Sequence, residues 1–289
     1  MRRGLTWIAA AVLVMGGAAG ARGEEAGYVS NPGCVICASP AVAEIVFALG
    51  CGGRVAGVSD FTDWPPEAAA KPRIGGVLSP NRERILALAP EMILAQGQSE
   101  ALAGFAQAYG IAFHTFPLET LKDVRAAITG LAAVLGVENA GQALLARMEA
   151  EFADLPACGP VPVFLALNHA PGDFSGLMTC GGGTFLDELV TRAGGQNIFS
   201  DVPGGWPRIS RETLIRRNPG LIVDVQAGPV DDERRGALLS DWERLGFRRA
   251  QTRILTEEYL LRPGPRAPQS AARLSAVICE KTSGSALKN

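Results

Sequence analysis

"NRERILALAPEMIL", residues 81–94, and "SRETLIRRNPGLIV", residues 210–223, are one phrase written twice in a chain of 289 residues. Identical residues fall at Arg82/Arg211, Glu83/Glu212, Pro90/Pro219 and Ile93/Ile222, and four further columns are apolar in both copies. Each copy reads as a short amphipathic helix broken before proline. An apolar run of the kind shown by a buried parallel strand follows. A matched Arg-Glu pair and a matched proline argue for two related lobes rather than a coincidental rhyme.

Outward from these units, strand and helix patterns alternate. "CVICASPAVAEIVFALG" (34–50) is strand then helix, with Ser39 placed to cap, Pro40 at the first helical position and Gly50 to end it. "RVAGVS" (54–59) and "IAFHTFP" (111–117) are strands, and "EALAGFAQAYG" (100–110) is an amphipathic helix. The same alternation restarts at "VPVFLAL" (161–167), followed by a helix at "GTFLDELVTRAGG" (183–195) with Thr184 as its cap. Such alternation predicts an α/β chain with parallel sheets. Between about Thr120 and Leu155 the apolar spacing stays helical with almost no strand signal, although Gly136 and Gly141 interrupt it. The expected organisation is therefore a leader at 1–23, an α/β lobe at 24–118, a long bridging helix at 119–156 and a second α/β lobe at 157–289.

The N-terminus, "MRRGLTWIAAAVLVMGGAAGARG", has two arginines, an apolar run too short to span a bilayer, then small residues. It reads as a secretory signal peptide cleaved near Gly23, which predicts an exported, soluble protein. The formal charge of −2 and the lack of a basic run give no reason to expect nucleic acid. Only two histidines occur, His114 and His169, so a multi-histidine metal centre is excluded. Export lets the six cysteines form disulfides, with fifteen possible connectivities. Cys34 and Cys37 invite a thiol oxidoreductase reading, but "GCVICAS" looks like a buried strand and the helix starts only at Ser39-Pro40. Structural cysteines are preferred.

The stretches "SPAVAEIVFALG", "GVSDFTDWPPEAAAKPRIGG", "NRERILALAPEMIL", "WPRISRETLIRRNPGLIV" and "RPGPR" together resemble the helical-backbone periplasmic binding proteins of ABC importers. These are the receptors for cobalamin, haem and ferric siderophores, and the likeness spans the chain after its leader. It implies two Rossmann-like lobes joined by one long helix, with ligand held in the cleft between them. It also implies a monomer that docks on a permease dimer with its ATPase subunits. An acid on each lobe would pair with permease arginines, and those acids map onto Glu83 and Glu212. The "RAGG" turn replaces a cysteine-bearing turn of the family, which leaves Cys279 expected to find Cys180. A tryptophan expected near Leu78 is absent.

In open α/β sheets the loops at the carboxyl ends of the strands line the site. Phe61 and Trp206 match family positions where aromatics lie against a flat macrocycle. Arg262 and Arg266 in "YLLRPGPR", with Arg208, are candidates for ligand propionate, phosphate or carboxylate groups, because a guanidinium binds them bidentately. Tyr259 opens the same loop. His169, just after a strand, is a candidate axial ligand to a chelated metal, whereas His114 reads as a core residue. The expected function is capture of a metal-chelate nutrient, a corrinoid such as cobalamin first, a ferric siderophore or haem next. No catalytic residue, no metal site of the protein's own and no cofactor is expected. A hydrolase ranks low because G-x-S-x-G is absent and His169 and Asp173 have no nucleophile elbow. A free-standing sensor that docks on a receptor is a further rival.

Overall fold

Two four-stranded parallel sheets organise the chain, wound in the same order. The computed structural model describes residues 33–286, so the expected leader at 1–23 lies outside the described residues. The first lobe runs β1 (Val35–Cys37), α1 (Pro40–Ala48), β2 (Val55–Val58), α2 (Pro66–Ala69), α3 (Arg82–Ala87), β3 (Met92–Gln96), α4 (Glu100–Ala108) and β4 (Ala112–Phe116). A bridge, α5 (Leu121–Leu135) and α6 (Glu138–Ala153), follows. The second lobe runs β5 (Val161–Leu167), α7 (Phe185–Arg192), β6 (Gly195–Asn197), α8 (Arg211–Arg217), β7 (Leu221–Val225), α9 (Asp232–Arg244), β8 (Thr252–Leu255) and α10 (Ala267–Ala286). Sheet orders β2-β1-β3-β4 and β6-β5-β7-β8 are the same permutation.

The repeated phrase is α3–β3 in one lobe and α8–β7 in the other. Both helices start on equivalent caps: Asn81 Oδ1 accepts from the Arg84 amide at 3.0 Å, and Ser210 Oγ from the Thr213 amide at 3.2 Å. Ile85 and Leu214 are fully buried beneath them. Both helices stop alike as well. Ala89 and Asn218, each just before its matched proline, take positive φ of 43° and 46°, and the prolines cannot continue the helix.

Strand alternation separates two layers in each lobe. Val35, Cys37 and Leu94 face inward while Ile36, Ile93 and Ala95 face the outer helices. In the second sheet Val163, Leu165 and Val223 face inward, and Phe164, Ala166 and Ile222 pack outward on Trp242 and Phe199. The inner faces of both sheets join one continuous core. It runs from Val42 and Ile45 through Val124, Ile128 and Leu144 of the bridge to Leu189 and Ile278.

The bridge corrects the expectation of a single long helix at 119–156. Gly136 closes α5 in a left-handed conformation (φ 69°, ψ 37°), and the chain reverses. Arg125, early in α5, therefore meets Glu149, late in α6, at 2.5 Å. Gly141 lets the two helices touch, since a Cβ there would lie 2.6 Å from that of Ala132. Each end of this hairpin is fastened to a different lobe. Arg54 donates to the Leu135 carbonyl at 2.8 Å, and the Leu121 amide donates to Glu188 of α7 at 2.5 Å. Apolar helical spacing is the same on both sides of Gly136, which is why periodicity alone reads the hairpin as one rod.

The cysteines need a second correction. Cys279 pairs with Cys158, not Cys180. Cys180 is a buried free thiol whose pKa burial pushes up to about 12. A Cβ on Gly194, within the "RAGG" turn, would lie 3.4 Å from Cys158 Cβ. The half-cystine thus sits beside that turn rather than on it. Among the described residues no helix is long and apolar enough to cross a membrane.

Candidate functional site

The carboxyl ends of the strands in both sheets open onto one cleft. Its second-lobe compartment, about 440 Å³, is walled by Asn168 and Ala170 after β5, Gln226 after β7, Trp206, Arg234 and Leu261. Its first-lobe compartment, about 430 Å³, is walled by Phe61, Asp60, Asp63, Glu258 and Arg262. Gln226, Ala227 and Leu261 line both, so the two compartments are contiguous. Their sizes lie within the range of small-molecule sites.

Phe61 is held out to solvent by a rigid loop. Arg73 donates to the carbonyls of Ser59, Thr62 and Ala69 at 3.0, 2.6 and 2.8 Å, and the Ser59 and Thr62 hydroxyls bond to each other at 3.0 Å. Ser59 and Thr62 are buried while Phe61 between them is left 72% exposed. Trp206, 42% exposed, is presented from the other lobe. Consecutive left-handed glycines, Gly204 and Gly205, turn the chain, and the Gly181 amide fixes the Gly205 carbonyl at 3.1 Å. Leu261, also 42% exposed, adds an apolar surface that nothing in the sequence pattern singles out.

The two arginines of "RPGPR" do a different job from the one expected. Glu44 of α1 is buried, and both guanidiniums converge on it: Arg262 at 2.8 Å, Arg266 through two bonds at 2.9 and 2.5 Å. Arg262 also pairs with Asp63 at 2.5 Å, and Arg266 lies between the rings of Trp64 and Tyr259, 5.1 and 5.3 Å from their centroids. Glu44, Asp63 and Trp64 belong to the first lobe and the arginines to the second, so the cluster fastens the lobes together. Arg262 borders the cleft with its charge already matched. Arg266 faces a separate groove with Trp64 and Arg147, and Tyr259 supports it. Arg208 is exposed but is not among the residues lining the cleft.

Asp63 and Glu258, one from each lobe, meet on the wall of the first-lobe compartment and share one hydrogen bond. Burial pushes Asp63 up, but its bonds with Glu258 and Arg262 and the Arg262 charge outweigh this and hold it at about 2. Glu258 is raised above its ordinary value, by the same bond with Asp63 first and by burial second.

His169 corrects another expectation. Its backbone borders the cleft, but its imidazole is fully buried. Nδ1 lies 2.7 Å from Asp224 Oδ2, Nε2 lies 3.3 Å from Asp241 Oδ2, and the ring stacks on Phe174. It is thereby committed to the protein's interior and turned away from any chelated metal in the cleft. His114 lies half-buried on the edge strand β4, not in the core. The thiol oxidoreductase alternative also fails on geometry. Cys37 is fully buried on the inner face of β1, where burial pushes its thiol up to about 12, while the Cys34 thiol is aimed at the Leu88 carbonyl, 3.7 Å away. Neither is an accessible thiolate, and they form no disulfide with each other.

Glu83 and Glu212 occupy the first turns of α3 and α8, exposed and on equivalent elements of the two lobes. Glu212 is lowered by its own backbone amide first and by the Ser210 hydroxyl next.

Residues 35–235 match the family model described as periplasmic binding protein. A vitamin B12-binding protein of Photorhabdus laumondii is 30% identical over 250 residues, covering 83% of this chain and 86% of that one. A vitamin B12-binding protein of Salmonella typhimurium is 32% identical over 238 residues, 76% of this chain and 85% of its own. Among solved structures, the periplasmic haem-binding protein BhuT in complex with two haems superposes with a TM-score of 0.72 at 26% identity. That match covers 86% of this chain and 98% of BhuT.

Proposed function

The chain belongs to the periplasmic binding protein family, and from that premise we infer that it is the substrate-binding receptor of an ABC importer for a corrinoid. The leader at 1–23 would export it to the periplasm. It would act as a monomer and carry ligand to a permease dimer with its ATPase subunits, as a receptor rather than an enzyme.

One observation carries the reading: rigid loops from opposite lobes present the exposed faces of Phe61 and Trp206 to one contiguous cleft. A large flat macrocycle gains most of its binding from such faces. Two further facts favour a corrinoid over haem. The His169 imidazole is buried and bonded through Nδ1 to Asp224, and Arg262 and Arg266 are committed to Glu44, where a dicarboxylate ligand would want them free. The vitamin B12-binding relatives point the same way. Haem is the second reading, favoured by the likeness to BhuT.

Docking falls to Glu83 and Glu212. A permease dimer offers two equivalent basic patches, and a duplicated lobe supplies one acid to each; exposed pairs of this kind set register and association rate more than affinity. The test is ATP-driven cyanocobalamin uptake into proteoliposomes carrying the cognate permease complex. Wild-type receptor should support uptake. Glu83→Ala/Glu212→Ala should bind cyanocobalamin unchanged and lose uptake at limiting receptor. Undiminished uptake by the double variant would move docking elsewhere, and no uptake with the wild-type protein would return it to the sensor reading.

A further inference from the structure

Arginines border this cleft in number, yet their guanidiniums are not equivalent. Arg73 is spent on three backbone carbonyls and Arg262 on Glu44 and Asp63. Arg234, exposed at the start of α9, makes one side-chain hydrogen bond, from Nη2 to Gln226 Oε1 at 3.1 Å.

That bond is aimed by a buried network with no other evident purpose at the cleft. Gln226 is only 4% exposed. Its Nε2 donates to the Asp224 carboxylate at 2.6 Å and to the His169 carbonyl at 3.0 Å. Both partners accept only, so the amide cannot flip, and Oε1 must face the cleft. Asp224 is fixed in turn by the Trp242 indole at 2.8 Å and by His169 at 2.7 Å. The result is a guanidinium set into the second-lobe wall on a rigid acceptor, with donors left over. The neighbouring compartment carries the exposed carboxylates Asp60 and Asp63 of the first lobe, with Glu258 beside Asp63, and the guanidiniums that share it, Arg73 and Arg262, are already paired.

We propose that Arg234, positioned by Gln226, is the anion-binding residue of the cleft, and that it takes the single phosphodiester of a nucleotide-bearing corrinoid. The carboxylate wall would face the ligand's neutral carboxamide fringe, accepting hydrogen bonds from its N–H groups, and would repel a ligand carrying two or more carboxylates. This rests on the corrinoid reading of the cleft. It goes further by naming which end of the ligand lies against which lobe.

The test compares cyanocobalamin with dicyanocobinamide, which shares the corrin but lacks the phosphodiester and nucleotide, on wild-type receptor and on Arg234→Gln. Affinities are read by calorimetry at two salt concentrations, with a thermal melt to confirm folding. The expected result is that Arg234→Gln weakens cyanocobalamin by about tenfold, the order of one charge-assisted hydrogen bond. It should leave dicyanocobinamide unchanged and abolish most of the salt dependence of the cyanocobalamin affinity. Arg234→Lys should recover part of the loss. Equal weakening of both corrinoids, or weakening of neither, would overturn the assignment while leaving the corrinoid reading intact. Failure of both to bind the wild-type protein would instead remove that reading, and the assignment with it.

Discussion

Glu44 shows how much a single side chain can decide in a two-lobed receptor. A buried carboxylate with Arg262 and Arg266 closed on it is tolerable only as a set, because removal of one partner leaves charge without compensation. Asp63 extends the cluster to the cleft, where its sensitivity to acid can be read. Its folded value, about 2, lies below the ordinary 3.8. The stability it contributes is therefore present above pH 3.8 and lost as pH falls towards 2. Glu258, raised by sharing a bond with Asp63, works in the opposite sense, and its contribution is lost as pH rises through its folded value. Asp63 is half exposed, so its share is discounted for solvent screening. Asp63→Asn is expected to lower stability by about 1 kcal/mol at pH 7. Denaturant melts across pH should show the gap to wild type closing between pH 4 and about 2. A gap that stayed constant over that range would mean the carboxylate is not what Arg262 holds.

At the scale of elements, the bridge is a hairpin whose closeness depends on glycine. Gly141 touches Ala132 where even a methyl group would crowd, so Gly141→Leu should cost roughly 1–3 kcal/mol through overpacking. A chemical melt reads this, and an unchanged midpoint would show that the helices part freely there. The helix, proline and strand of the repeated phrase were legible in the sequence because each rests on local chemistry, whereas its caps, Asn81 and Ser210, appear only in the structure. Phe61 and Trp206 were found through the family resemblance, and the structure shows both exposed. The reversal at Gly136 was not legible, since a left-handed glycine and a bent helix read alike in sequence. Nor was the burial of His169 between Asp224 and Asp241, or the capture of Arg262 and Arg266 by Glu44. Asp224 and Glu44 lie 55, 218 and 222 residues from the side chains they hold, and such pairings have no spacing signature. The Gln226–Arg234 bond is local, but only the buried network orients it.

Across the whole molecule, one core passes from the first sheet through the hairpin to the second, and the Glu44 cluster fastens the lobes again near the cleft. Two attachments of this kind resist hinge motion, so ligand capture is expected to proceed with little lobe closure. The aromatic faces must then be nearly in place before ligand arrives. A preorganised cleft of this sort gains affinity because little remains to be ordered on binding. The most direct test is calorimetric titration of the mature protein with cyanocobalamin, in parallel with haem, on wild type, Phe61→Ala and Trp206→Ala. Saturable one-to-one binding of cyanocobalamin is expected, weakened by about tenfold in each variant, as loss of one stacking face implies. Saturable haem binding with no response to cyanocobalamin, or cyanocobalamin binding indifferent to both substitutions, would contradict it.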